Sequence, residues 1–80
     1  MLFRSTALFE ALRKRRSELA KQQGVAAYVV FADKTLIDMA RRKPATTAEM
    51  AALHGVGESK LRQYGAIFLD VVRDHAQRAA

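Results

Sequence analysis

The sequence predicts an all-α fold, a compact bundle of about five helices. Three observations lead there. Apolar residues recur at helical spacing in two long stretches, one through Leu8, Leu12 and Leu19 and one through Leu61, Tyr64, Phe68 and Val72. Helix start and stop signals, among them Gly24, Pro44 and the pair Thr46 and Glu49, fall between these periodic segments. The one strand-like stretch, "VAAYVVF", has no second strand to satisfy its backbone groups.

Each element follows in order. Ser5 or Thr6 caps a first helix, whose inner face carries Leu8, Phe9, Leu12, Leu19 and Ala20. Glu10 with Lys14, and Lys14 with Glu18, are i,i+4 pairs that support it, and Gly24 stops it as a C′ residue. "VAAYVVF" is then read as a short helical turn or irregular connector, buried through Val29, Val30 and Phe31. Asp33 is expected to cap the next helix, which carries Leu36, Ile37, Met39 and Ala40 and ends before "RRKP", because the residue before Pro44 is steered away from helical geometry. Thr46 and Glu49 form a capping box that opens a short helix through Met50, Ala51 and Leu53, expected to end at His54 with Gly55 as C′. A last helix restarts near Glu58 with Leu61, Tyr64, Phe68, Leu69 and Val72 on one broad stripe. Gly65 inside it costs about 1 kcal/mol in helix propensity against alanine, which a close helix–helix contact would explain.

Length and charge narrow the function. Eighty residues, 1–80, are read as one small domain without repeat or linker, near the lower limit for a self-sufficient core. No apolar run approaches the ~18 residues of a transmembrane helix, and the N-terminal basic cluster follows the apolar residues, the reverse of a signal peptide. The absence of cysteine excludes disulfides and thiolate metal sites, and an intracellular location is expected. Fourteen Lys and Arg against eight Asp and Glu give +6, with a pI near 10.3. That balance favours a polyanion, nucleic acid first and anionic membrane or acidic protein second.

Few residue constellations carry chemistry. His54 and His75 lie far apart with no further ligand at metal spacing, and Asp70 with Asp74 is an i,i+4 pair of surface carboxylates. No nucleophile-and-base pair and no phosphate loop of the nucleotide-binding type is present, so neither catalytic residues nor a cofactor are expected. The basic run "RKRR" circles its helix at about 100° per residue. Arg13 and Lys14 point away from the apolar face, whereas Arg15 and Arg16 flank it, so the run serves equally as a solvated face or as part of a DNA surface. Arg41, Arg42 and Lys43 sit at a helix C-terminus, where cations also suit the macrodipole. Tyr28 offers a face on which a base can stack, with Lys34 near in sequence, although the local pattern alone favours a partly buried tyrosine with a wet hydroxyl. In "HGVGESK" the turn resembles the hairpin of helix–hairpin–helix DNA binders, where free N–H groups at a helix start hold a phosphate. Gly57 and Lys60 would supply that contact, while Glu58 opposes it by occupying the same dipole.

Taken in order, "LFEALRKRRSELA", "YVVFADKTLIDMA" and "AEMAALHGVGESKLRQYGAIFLDVV" resemble the HRDC domain of RecQ-type helicases and RNase D, over nearly the whole chain from Leu2 to about His75. "LFEALRKRR" and "YVVFADKTL" look closer to the bacterial RecQ members. The resemblance implies a five-helix accessory domain that adds nucleic-acid affinity and specificity to a bacterial, cytoplasmic and nucleoid-associated helicase without doing chemistry itself. It also implies surface charge that varies among members. The family often carries proline just before "YVVF", where this chain has Ala26 and Ala27, so the connector lacks that preset φ.

Within that frame the "GVG" turn is read first as architecture, with Gly57 the residue whose replacement would strain it, and Lys60→Ala is expected to matter little. The expected DNA surface is Tyr28 with Lys34 and basic residues of the first helix, Arg13 and Arg16, with Gly57 and Lys60 as further candidates. The expected partner is single-stranded or junction-containing DNA, bound by a monomeric domain with no membrane contact. The alternative is a regulatory module that docks on other domains of the parent helicase or on a partner protein.

Overall fold

The computed structural model describes residues 6–79. Ser5 and the side chain of Thr6, expected to cap the first helix, lie outside the described residues. Five helices are present among them: α1 (Thr6–Gln23), α2 (Ala27–Val30), α3 (Asp33–Arg42), α4 (Thr47–Ala51) and α5 (Glu58–Ala79). The all-α expectation is met, and "VAAYVVF" contains a single helical turn. Helix α1 packs against α2, α3 and α5, and α4 packs against α5.

The core forms where the stripes of the two long helices meet. Leu8, Leu12, Leu19 and Ala20 of α1 are buried with Tyr64, Phe68, Leu69 and Val72 of α5. Phe31 enters from the junction of α2 and α3 and meets Tyr64 and Phe68 edge-on, with centroids 5.8 and 5.0 Å away. Such pairs add about 0.5–1.5 kcal/mol each beyond area burial, which makes Phe31 the pin that fixes the connector to the core.

Helix ends follow local chemistry. Gly24, at φ +67°, closes α1 with a Schellman motif, in which Val25 N–H donates to Ala20 O (3.0 Å) and Gly24 N–H to Lys21 O (3.2 Å). Lys43 takes a left-handed conformation (φ 50°) and its N–H donates to Met39 O at 2.9 Å, stopping α3 before the buried Pro44. The capping box operates with a shift: Glu49 N–H donates to Thr46 Oγ1 (3.1 Å), but the Glu49 carboxylate accepts from Ala45 N–H (2.7 Å). The guanidinium of Arg73 on α5 donates to Ala45 O, with the shorter bond at 2.9 Å, and ties this turn to the last helix.

Several expectations are corrected. Asp33 is the first helical residue of α3 and the N-cap is Ala32. Val29 and Ile37, expected inside, are exposed. A one-turn helix buries one side only, and Val30 takes it; on α3 the inner arc is filled by Thr35, Leu36, Met39 and Ala40. Helix α4 stops at Ala51 with Ala52 as C-cap, three residues before His54, and Leu53 to Val56 form a separate turn. The α1 carboxylates pair with arginines at i,i+3, Glu10 with Arg13 (3.5 Å) and Glu18 with Arg15 (3.0 Å), in place of Lys14. No helix approaches Gly65 closely enough to require glycine: a Cβ there would lie 2.9 Å from Leu61 Cδ1, one turn back on α5, and within 4 Å of no residue of another helix.

The absent proline has left its geometry behind. Ala26 is extended (φ −67°, ψ 152°), as a residue before proline must be, and Ala27 is the first residue of α2. Ala27→Pro is therefore expected to raise stability by about 0.4–1 kcal/mol through the unfolded chain. A thermal melt checks it, and a lower melting temperature would show that Ala27 N–H is needed.

Candidate nucleic-acid interface

The surface around Tyr28 is built by tying α2 down at its C-terminal end. A four-residue helix has almost no stability of its own, because nucleation fixes several dihedrals for one hydrogen bond. Its carbonyls, and the one that follows, are held by two cations from the long helices. Lys60 Nζ of α5 donates to Val29 O, and to Val30 O at 3.1 Å. Arg16 of α1 donates to Phe31 O at 3.0 Å and pairs with Asp33 at 2.8 Å. Three successive carbonyls thus face positive charge, which also suits the negative end of a helix. Lys60 lies 5.9 Å from the centroid of the Tyr64 ring, and Tyr64 Oη donates to Gln23 Oε1 at 2.8 Å.

With its far side anchored, α2 turns Tyr28 outward at 74% exposure. The partly buried reading of this tyrosine is thereby set aside. Tyr28 borders a groove of about 240 Å³ whose other walls include Lys34, His54, Gly55 and Lys60. The stacking candidate and the glycine turn, distinct in the sequence, are therefore two sides of one groove.

Gly55 is what brings the turn so close. It has φ +83°, and a Cβ built on it would lie 2.3 Å from Oγ1 of the buried Thr35 on α3. Both the left-handed conformation and the close approach require glycine here. Gly57, to which that role was given from the sequence, has neither constraint: a Cβ there meets nothing within 4 Å. Its carbonyl accepts from Leu61 N–H at 2.9 Å, so Gly57 is the residue from which α5 begins. Glu58 follows in the first turn and pairs with Arg62 at 3.3 Å. The Lys60 ammonium is bound to carbonyls of α2. The structure thus gives Lys60 a place in the groove as the anchor of α2.

The α1 candidates separate. Arg16 is 7% exposed and spent on Phe31 O and Asp33, with Nε buried and without a hydrogen-bond partner. It belongs to the scaffold beneath the surface and is withdrawn from the contact set. Its four-residue run could not reveal this, since the acceptor lies 15 positions away. Arg13 is exposed beside Glu10 and does not line the groove.

Residues that sequence reasoning did not join to this surface lie next to it. Lys34 and His54 are shared with a second, open groove of about 350 Å³ lined also by Ile37, Asp38, Arg41 and Arg42. Asp38 accepts from Arg42 Nε at 2.8 Å and from His54 N–H at 3.3 Å, which moors the turn after α4 to α3. The signal in the sequence was the spacing of Lys34, Ile37 and Arg41, which puts them within about 60° on the outer side of α3. His54 and His75 join no group of three potential metal ligands among the described residues. No helix there is long and apolar enough to cross a membrane.

Comparison with known proteins places this surface in context. The HRDC domain family matches residues 5–72. The chain is 43% identical over 70 residues to the ATP-dependent DNA helicase RecQ of Bacillus subtilis, covering 88% of this chain and 12% of that protein. It is 47% identical over 62 residues to the ATP-dependent DNA helicase UvrD2 of Mycobacterium bovis, covering 78% of this chain and 9% of that protein. Among solved structures, the third HRDC domain of D. radiodurans RecQ superposes with a TM-score of 0.87 at 42% identity, covering 90% of this chain and 95% of that one. With the sequence motifs, the five helices and these matches in agreement, the chain belongs to the HRDC domain family.

Proposed function

We propose that this domain is a non-catalytic accessory module of a bacterial RecQ-type helicase. It binds single-stranded or partly single-stranded DNA weakly and so modulates the affinity and substrate choice of its parent. The observation that carries this reading is Tyr28, 74% exposed beside Lys34 on a groove that Lys60 and His54 also line. An exposed ring beside cations is the arrangement by which single strands are held without sequence preference, through stacking and phosphate attraction. The net charge of +6 and relatives that are DNA helicases by name support it.

The test is the salt dependence of binding by the isolated domain to an oligothymidylate. Neutralisation of about three to five phosphates predicts a slope of log K against log salt of roughly −2 to −3.5. A salt-insensitive affinity, or none at low salt, would favour the second reading, a module that docks on the helicase core or on a partner protein. The exposed Val29 and Ile37 are the observation on its side.

A further inference from the structure

We infer that the nucleic-acid path does not end at Tyr28 and Lys34 but continues along the outer side of α3, with Ile37 as a second apolar rest and Arg41 as a second phosphate contact. The inference rests on the proposed function and lengthens its site. Three observations carry it. The two grooves adjoin, since Lys34 and His54 line both. Lys34, Ile37 and Arg41 share the outer side of α3, and Ile37, 39% exposed, sets an apolar side chain between the two cations. Charge then selects the occupant.

Among the described residues, the one carboxylate lining the second groove, Asp38, is engaged by Arg42 and by His54 N–H. Lys34 and Arg41 have no such partner among the described residues, and both are exposed. Seven residues apart on a helix, they stand about 10.5 Å from each other along its axis. That separation holds two different phosphates rather than one. The surface therefore reads, in order, as an aromatic ring, a cation, an aliphatic side chain and a cation, which fits a polyanionic strand with apolar bases. An acidic protein surface would match the cations but would leave Tyr28 and Ile37 without a reason to alternate with them.

The experiment is anisotropy of labelled oligothymidylates of increasing length with the intact domain, at several salt concentrations. It compares the unaltered protein with Arg41→Ala, Ile37→Ala and Arg62→Ala. Arg62 is the control for net charge: it is exposed, paired with Glu58 and outside both grooves. Arg41→Ala is expected to reduce the magnitude of the salt slope by about 0.7 and to weaken binding about fivefold at 0.1 M salt. It should also remove the affinity gained when the oligonucleotide becomes long enough to cross α3. Ile37→Ala should weaken binding several-fold at unchanged slope, and Arg62→Ala should do less than half of what Arg41→Ala does. Equal slopes for Arg41→Ala and Arg62→Ala would overturn the extended path, and the proposed function would survive if Tyr28→Ala and Lys34→Ala still weaken binding. An unaltered domain that binds no oligonucleotide at low salt would overturn both.

Discussion

Gly55→Ala is expected to destabilise the domain by about 2–5 kcal/mol. The left-handed conformation costs an L-residue about 1–2 kcal/mol, and forcing a methyl into a filled site costs about 1–3 more. The contact is specific, since the new Cβ would lie 2.3 Å from Oγ1 of Thr35, a buried side chain on α3 whose β-branching restricts its rotamer. For a chain of this size the whole stability is on the order of 4–12 kcal/mol, so the loss lowers the melting temperature by on the order of 10–30 °C. Gly57→Ala should cost no more than about 1 kcal/mol, the difference between glycine and alanine at a helix start. Adding Thr35→Ala to Gly55→Ala should recover part of the loss, because it removes the clash and leaves only the backbone strain. Thermal melts of the four proteins decide it. A Gly57 variant that melts below the Gly55 variant would reverse the roles assigned to the two glycines.

Tyr28→Ala is expected to weaken single-strand binding by about 1–3 kcal/mol, roughly fivefold to 150-fold, at an unchanged salt slope, because stacking releases few counterions. The melting temperature should stay nearly constant, as for other exposed side chains away from caps and cores. Lys34→Ala should instead reduce the slope by about 0.7, the increment for one phosphate on a single strand. Lys60→Ala acquires a larger expected effect than its place in the sequence implied. It frees the Val29 and Val30 carbonyls that hold α2, so it should lower both affinity and melting temperature. That double signature separates an anchor of Tyr28 from a direct contact. If Tyr28→Ala binds as well as the unaltered domain, the groove is not where bases rest.

Much of this was legible in the sequence, for reasons that differ by element. The stripes of α1 and α5 were plain because a long helix repeats its buried side many times, and Leu8, Leu12, Tyr64 and Phe68 lie where the period puts them. The end at Gly24 was plain because glycine acts locally, whereas α3 runs two residues past its expected stop before "RRKP", through Arg41 and Arg42, because Lys43 takes the left-handed turn before Pro44. The fate of Val29 and Ile37 was not legible, since one turn of helix offers no period to average over and α3 gives Ile37 only a neighbouring angle. Arg16 and Lys60 were misjudged for a different reason. Each is committed to a carbonyl 15 to 31 positions away, and charge runs read along the chain do not disclose such partners. The choice between Gly55 and Gly57 likewise depended on Thr35, twenty residues earlier and on another helix. Tyr28 was singled out for its ring, but its exposure follows from the clamp on α2, which only the fold brings together.

The central claim is that one face, formed by α2, α3 and the turn before α5, receives single-stranded DNA. The most direct measurement is an amide-resolved NMR titration of the domain with an oligothymidylate at low salt. Shift changes are expected to concentrate at Tyr28, Lys34, Thr35, His54, Gly55 and Lys60, the residues around the groove, and to fade as salt is raised. Changes centred on Arg13 and the outer side of α1, with the Tyr28 groove silent, would contradict the account.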